Sequence, residues 1–518
     1  MGCDGSLASE AAHPLGFETM HTTPLFEPHD LETLKRQGFT VEEVAEQLER
    51  IRHGSGRLDL LRAATVGDGI ERAEIHDDAL DEAGRSAIAA GRCACFVPAS
   101  GAATRMFQDL IATLEQGIEV ESDASRRFLD ELPRFAFHDA LAEVLTHRGL
   151  SLDRLVADDR ARPILEALLE EDGLGYECAP KAMVLFHRAP EGPRTALEEH
   201  LVDAAAMVAD ARQLARIHFT VAPEHEASIV PFVRARAEQI GARTGVRFEI
   251  GFSTQGPASQ CVAGTPEGSP FRDSSGALVF RPGGHGALLS NLEESGEDLL
   301  FLRNIDNVPV HREAVYRWVP RMLGRLAEVE RQTHEHLRRL DDPGDARAIE
   351  AAVAFAAATF RRSPSPADGA DPKSRARALL DRPIRVCGMV ANAGEPGGGP
   401  FWVRSADGAV SLQIVEQAQV PTEQRAVMSG ATHFNPVFMA CALRDRNGAR
   451  RRLQPFVDPE AVIVTRKSDG GRELLARERP GLWNGGMAHW NSLFLEVPLA
   501  TFAPVKTVFD LLRPEHQP

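Results

Sequence analysis

Five lysines stand against fifty-three arginines in this chain. Two of the five lie in proline-anchored apolar strings, Pro180-Lys181-Ala182-Met183-Val184-Leu185-Phe186 and Phe502-Ala503-Pro504-Val505-Lys506-Thr507. A chain that uses arginine almost wherever a surface cation is needed keeps lysine where a planar fork would not serve. An ammonium is a compact point charge that reaches a single phosphate oxygen. Phosphate chemistry is the first expectation, although so few lysines can fall in such places by chance.

Phe96-Val97-Pro98, followed by Ala99, Ser100, Gly101, Ala102, Ala103, Thr104 and Arg105, reads as an apolar strand, a run of small residues and an arginine opening a helix. Small side chains let backbone N–H groups approach a ligand, and a helix N-terminus adds partial positive charge, so the arrangement suits a polyphosphate. A tight strand-to-helix turn needs small residues too. Neither GxxxxGK[ST] nor GxGxxG occurs in the chain. Arg281-Pro282-Gly283-Gly284-His285-Gly286-Ala287 is a glycine-rich turn entering a short helix; it can lie flat against a base or a phosphate, or simply supply positive φ angles. Arg303-Asn304-Ile305-Asp306-Asn307 puts a carboxylate just past an apolar strand, where open α/β sheets collect ligands. Asp306 there can hold magnesium or cap a turn.

In order, the strand-loop-Thr-Arg, Pro-Lys, PGGHG and NIDN strings resemble the UDP-sugar pyrophosphorylases, GT-A type nucleotidyltransferases that couple a nucleoside triphosphate to a sugar 1-phosphate. Val415-Glu416 in LQIVEQAQV, Phe434-Asn435 in ATHFNPV and FAPVKTVFDLL (502–512) are similar to later strings of that family. From about Asp30 to Gln517 the chain more closely resembles a bacterial family of unknown function carrying PASGAATRMF, PGGHGAL and GEPGGGPFWV.

The pyrophosphorylase resemblance implies roles. Arg105, Lys181 and Lys506 would neutralise phosphate charge in catalysis. Ala99, Ser100, Gly101, Ala102, Thr104, Gln255, Gly283, Gly284 and His285 would bind the nucleotide. Asn307, Glu416 and Asn435 would hold sugar hydroxyls, and Asp306 would bind Mg2+. The product would be an NDP-sugar, with pyrophosphate released. The attacking phosphate oxygen is already anionic, so alignment and charge screening suffice and no general base is needed. The GGHG string favours a uridylyl donor, while Ser100 and Ala103 replace two glycines of the family loop and narrow the room for a base. The segment Gly394 to Trp402 can shape a sugar pocket or form a bend. His433, His489, Trp483 and Trp490 can line that pocket, a packed core role being the commoner fate of such residues. Two other classes stay open. A GT-A glycosyltransferase would show a DxD-like metal pair, which Asn304-Ile305-Asp306 fits poorly, and a non-catalytic nucleotide-sugar-binding protein would lack the phosphate cations.

Elements must position these groups. Asp30 to Arg52 has helical apolar spacing with a capping-box pair, Thr40 and Glu43. Beyond Cys93, strand candidates at Cys95–Val97, Val184–Phe186, Ile217–Val221, Phe248–Ile250, Val279–Phe280 and Leu299–Leu302 alternate with helices, including Thr195 to Ala211 and Glu224 to Ile240. This predicts an α/β fold with a mainly parallel mixed sheet covered on both faces, a GT-A/Rossmann-like core. Arg312 to Leu340 reads as a long polar helix. Phe401–Val403 and Val410–Val415 flank Asp407-Gly408, a hairpin signal. The expected divisions are a tail and helical leader over 1–85, a nucleotidyltransferase core over 86–360, a linker over 361–380 and a part completing the sugar and phosphate site over 381–518.

The formal charge of -17 opposes non-specific binding to nucleic acid or anionic membranes, so an anionic ligand must meet a local cationic cluster. Seven scattered cysteines show no zinc spacing and fit buried thiols in a reducing compartment. The first ten residues lack a basic-then-apolar signal pattern, their match to a myristoylation pattern is short, and no apolar run reaches membrane length. The expected location is cytoplasmic. Oligomeric state cannot be read from these residues.

Overall fold

The apolar runs that flank the candidate loops pair with one another in a ten-stranded sheet. In the computed structural model residues 25–53, 58–72, 78–116, 122–365, 368–369, 371–394, 398–405 and 408–518 are described. Along the main path the strands lie in the order Thr65–Val66, Gly69–Arg72, Asn491–Glu496, Ile384–Ala391, Met439–Ala442, Leu299–Leu302, Cys93–Pro98, Leu214–Val221 and Arg247–Thr254. Met439–Ala442 runs antiparallel to both its neighbours, and His433–Phe434 pairs antiparallel with Ile384–Ala391. The other pairings are parallel. The fold is the mixed α/β class that the alternation of runs and helices implies.

Successive residues of these strands enter two cores. Cys93, Cys95, Val97, Leu299 and Phe301 pack on one face, and Ala94, Phe96, Leu300 and Leu302 on the other. Burial of both faces explains why the runs are continuously apolar rather than alternating. The parallel direction also brings the loops after Pro98, Leu302 and Glu496 to one edge of the sheet.

Several expectations need correction. The leader is two helices, Pro28–Gln37 and Val41–His53, because Gly38 takes a left-handed φ of 81° between them; the Thr40 and Glu43 capping pair forms as expected. Both pack on a four-stranded sheet of Gln260–Gly264, Phe280–Pro282, Ile463–Asp469 and Arg472–Glu478. The run near Val184 becomes a strand at Leu185–Ala189 that, among the described residues, pairs only with Gly192–Thr195, so it lies outside the large sheet, as does Phe280. Part of the expected 361–380 linker is the helix Pro372–Leu380, nucleated by Asp371, whose carboxylate accepts the Lys373 and Ser374 N–H groups. Strands on either side of that stretch share the large sheet, so it joins parts of one sheet rather than separating two bodies.

The long helix, Glu313–Asp341, is not polar all round; thirteen of its residues are buried. It crosses the helix Asp78–Ala89 where Gly84 and Gly324 meet backbone, and a Cβ on Gly84 would lie 1.8 Å from the Pro320 carbonyl oxygen. The hairpin of Gly399–Arg404 with Val410–Val415 forms, while Asp407, the middle of the Gly394–Trp402 segment and the first ten residues lie outside the described residues. The described cysteines are free thiols, buried except for Cys178, which is exposed. Among the described residues, no helix is long and apolar enough to cross a membrane.

Candidate functional site

Another backbone runs beside the loop after Cys93–Pro98. Ala102 pairs with Pro180, the Lys181 N–H donates to the Gly101 carbonyl at 2.9 Å, the Ala103 N–H donates to the Ala179 carbonyl at 2.9 Å, and Thr104 Oγ1 donates to the Glu177 carbonyl at 2.9 Å. Gly101 faces open space, whereas Ala99 is fully buried. The helix that Arg105 was expected to open begins at Gln108 instead. Residues 104–107 form a turn in which the Met106 and Phe107 N–H groups both donate to the Ala103 carbonyl. Arg105 projects from this turn with an exposed side chain.

From the far end of the chain, Val508 N–H donates to the Met106 carbonyl at 2.9 Å, and Val505 N–H to the Asp306 carbonyl at 3.0 Å. The Gly101–Met106 turn, the Pro180-Lys181 corner, the Asp306 turn and the Pro504–Val508 stretch thus form one cluster. At its centre Lys181 Nζ lies 2.8 Å and Lys506 Nζ 3.0 Å from the same Asp306 Oδ2. The Lys181 side chain is 12% exposed and Asp306 9%, while Lys506 is 52% exposed. Burial draws the Lys181 pKa below its usual value, and Lys506 adds to this against the pull of Asp306. Burial alone would raise the Asp306 carboxyl, but the two ammoniums outweigh it and hold the group below the ordinary carboxylate range. With two cations on one carboxylate, the cluster has a local surplus of positive charge in a strongly acidic protein.

Asp306 Oδ1 is buried without a hydrogen-bond partner. That orphan atom fits one magnesium ligand. Among the described residues no three His, Cys, Asp or Glu side chains stand together to hold a metal. An ion there would draw its remaining ligands from water and phosphate, as magnesium commonly does.

Asn307 was expected to hold a sugar hydroxyl, but the fold uses its amide elsewhere. It is fully buried, donating to the Thr501 carbonyl at 3.4 Å and accepting the Ala503 N–H at 2.9 Å, and so fastens the Asp306 turn to the stretch leading to Lys506. Asn435 is likewise closed off: its Nδ2 donates to the Gly388 carbonyl at 3.0 Å and its Oδ1 accepts the Val437 N–H at 3.2 Å. Beneath the turn, Arg303 pairs with Asp203 at 2.6 Å and also donates to the Asn307 carbonyl, and His200 Nε2 donates to the Ile305 carbonyl at 3.2 Å. Burial lowers the His200 pKa to about 4, which keeps it neutral.

A second group forms around His285. Its Nδ1 accepts the Leu482 N–H at 3.0 Å, which leaves Nε2 to donate to Glu416 Oε1 at 3.2 Å. The ring stacks on Trp483, 4.1 Å between centroids and 16° from parallel, and Trp483 Nε1 donates to the same Glu416 oxygen at 3.3 Å. Burial opposes ionisation of Glu416, but His285 and Trp483 outweigh it and lower its pKa. Gly283 and Gly286 are small because Cβ atoms there would each lie 2.1 Å from a carbonyl oxygen, of Ser259 and Pro480 respectively. A Gly284 Cβ would meet Glu478, and Gly284 also has a φ of 72°. Gln255 is half-buried just beyond the strand Arg247–Thr254, Trp490 is a core residue, His433 is buried and His489 is exposed.

Sequence reasoning passed over Asp510, whose Oδ2 accepts the Lys506 and Thr507 N–H groups at 2.8 and 2.7 Å. The Thr507-x-x-Asp510 spacing was the available signal. No such signal marked His187, Glu199 or His516, which meet only in the folded chain.

A family model described as "Domain of unknown function (DUF4301)" matches residues 27–517. No curated protein matches the chain. Solved structures similar to it include uridine diphosphate N-acetylglucosamine pyrophosphorylase from Trypanosoma brucei, in complex with inhibitor, at 14% identity and a TM-score of 0.48, covering 91% of this chain and 74% of that one. Another is a mutant of UDP-glucose pyrophosphorylase from Leishmania major in complex with UDP-glucose, at 12% identity and a TM-score of 0.44, covering 93% and 77%. UDP-glucose phosphorylase from Trypanosoma brucei aligns at 14% identity and a TM-score of 0.43, covering 94% and 80%.

Proposed function

The chain belongs to the DUF4301 family, and we propose that it is a nucleotidyltransferase coupling a nucleoside triphosphate, with UTP the first candidate, to a sugar 1-phosphate to give an NDP-sugar and pyrophosphate. The observation that carries this reading is the meeting of Lys181 and Lys506, two of the chain's five lysines, on one carboxylate at the carboxyl edge of a mainly parallel sheet. Ligands collect at such edges.

The chemistry suits these groups. A sugar 1-phosphate oxygen attacks the α-phosphorus of the triphosphate, and negative charge moves onto the departing pyrophosphate. Lys181 and Lys506 would stay close to that charge, and Arg105 is exposed on the neighbouring 104–107 turn. Asp306 holds the two ammoniums together without ligand, so little reorganisation precedes the reaction. Asp306 would hold magnesium through its unpartnered Oδ1, and the ion would supply further neutralisation of phosphate charge. The Glu416, His285 and Trp483 group offers a flat ring face beside a carboxylate, suited to stacking and to hydroxyl recognition.

The test is a screen of sugar 1-phosphates against the four nucleoside triphosphates with inorganic pyrophosphatase present, reading phosphate release, with Lys181→Ala as control. Phosphate release from one pairing that is lost in the control supports the reading. Silence from every pairing, or equal signal from the control, rejects it.

A further inference from the structure

Lys506 is half exposed, with its ammonium on Asp306, so its place depends on the backbone that carries it. That backbone is held from beyond. After the Lys506 and Thr507 N–H bonds to Asp510, the chain makes two short 3-10 turns, Val508–Leu512 and Pro514–His516. The Glu515 carbonyl accepts the Val310 N–H at 2.8 Å, which pins the turn to the segment just after Asp306. Arg134 donates to the Leu512 carbonyl at 2.8 Å. His516, 1% exposed, is packed inside the molecule.

Its ring stacks on His187 with 5.2 Å between centroids, and His516 Nδ1 lies 2.8 Å from His187 Nε2. His187 Nδ1 in turn lies 2.9 Å from Glu199 Oε1. Glu199 is paired with Arg312 and lies 3.6 Å from Arg194, and Arg312 also pairs with Asp203, the partner of Arg303 beneath the Asp306 turn. The Ala503 backbone lies beside the His516 ring, three residues before Lys506. One buried chain of polar contacts therefore connects the support of Asp306 to the support of Lys506.

We propose that His516 is a positioning residue: through His187 and Glu199 it sets the Lys506 ammonium against Asp306 and so tunes the affinity of the site for a pyrophosphate-class anion. The inference rests on the phosphate reading of the lysine cluster. Its position near the far end of the polar chain distinguishes His516 from groups that touch the anion.

The probe is inorganic pyrophosphate, titrated calorimetrically into the full chain and its variants. Wild type binds, and Lys506→Met weakens binding about tenfold, as expected for loss of roughly one charge contact. His516→Phe weakens it to a similar degree, and adding His516→Phe to Lys506→Met causes no further loss, because the two act through one group. His516→Asn, which keeps a polar atom near Nδ1 facing His187, stays within about threefold of wild type, whereas His516→Gln does not. A merely structural role would give additive losses and no rescue by asparagine. If His516→Phe fails to fold, the Asn and Gln comparison decides the matter. Wild-type binding that is unaltered in His516→Phe, or equally weak in Asn and Gln variants, overturns the inference alone. Absence of binding to wild type overturns the phosphate reading and the inference together.

Discussion

Lys181 and Lys506 share a single oxygen of Asp306, and the three residues come from three separate segments of the chain. Two ammoniums drawn this close repel, and the carboxylate between them offsets that repulsion. Asp306 is therefore a structural counter-ion as well as a candidate ligand.

Asp306→Asn removes that counter-ion. Breaking a buried ion pair typically costs 3–5 kcal/mol, and the half-exposed Lys506 makes the loss smaller, about 2 kcal/mol. Urea unfolding at neutral pH should show it. The double variant Asp306→Asn with Lys181→Met should recover part of the loss, and no recovery would count against mutual repulsion of the lysines.

Each lysine should matter more to turnover than to folding. Lys181→Ala and Lys506→Ala should each lower kcat/KM by about a hundredfold, in line with roughly 3 kcal/mol for loss of one preorganised donor to developing charge. Lys506→Ala, at the more exposed position, should leave the melting temperature nearly unchanged. Steady-state kinetics on the pairing found by the phosphate-release screen checks both.

His285 and Trp483 form one unit with Glu416. His285→Ala removes the stacked ring and one of the hydrogen bonds to Glu416, and should raise KM for one substrate about tenfold while kcat changes little. Tryptophan emission should also shift, since Trp483 loses its ring neighbour. An unchanged spectrum would mean that the stack does not persist in solution.

Acid should destabilise the protein before its carboxylates titrate. Burial lowers His200 and His218 to about 4, and burial followed by His187 lowers His516 to about 3. His516 faces His187, Asp510 and Arg513, with Glu199 behind His187; His200 faces Arg303 and Asp203; His218 bonds Ser253. Each is neutral when folded and takes up a proton when unfolded, so its contribution is full above about 6.5 and is lost as pH falls toward the folded value. Each can remove up to about 1.4 kcal/mol per pH unit below 6.5. Thermal melts should stay level from pH 7.5 to about 6.5 and fall from there to pH 5, and His218→Gln should flatten that fall.

Much of the frame was legible because it rests on local regularities. The Cys93–Pro98 and Leu299–Leu302 strands announce themselves as unbroken apolar runs, a pattern forced by burial on both faces, and Thr40 with Glu43 caps its helix as the spacing predicts. Gly38, left-handed at a φ of 81°, divides the helical leader in two just before that cap. The two unusual lysines and Asp306 were picked out by residue type and by their places beside proline or beyond a strand.

The sequence by itself therefore determined which cationic and acidic groups are available, and that parallel strands would carry them. It did not determine which polar side chains stay free to meet a ligand. Asn307 and Asn435 looked available, yet their amides are taken by backbone groups, among them Thr501 and Gly388 far away in the chain, and His516 gave no sign of joining His187 and Glu199. Only the tertiary structure decides such partnerships, because a buried polar atom must be satisfied by whatever group the packing of distant segments happens to bring within 3 Å or so.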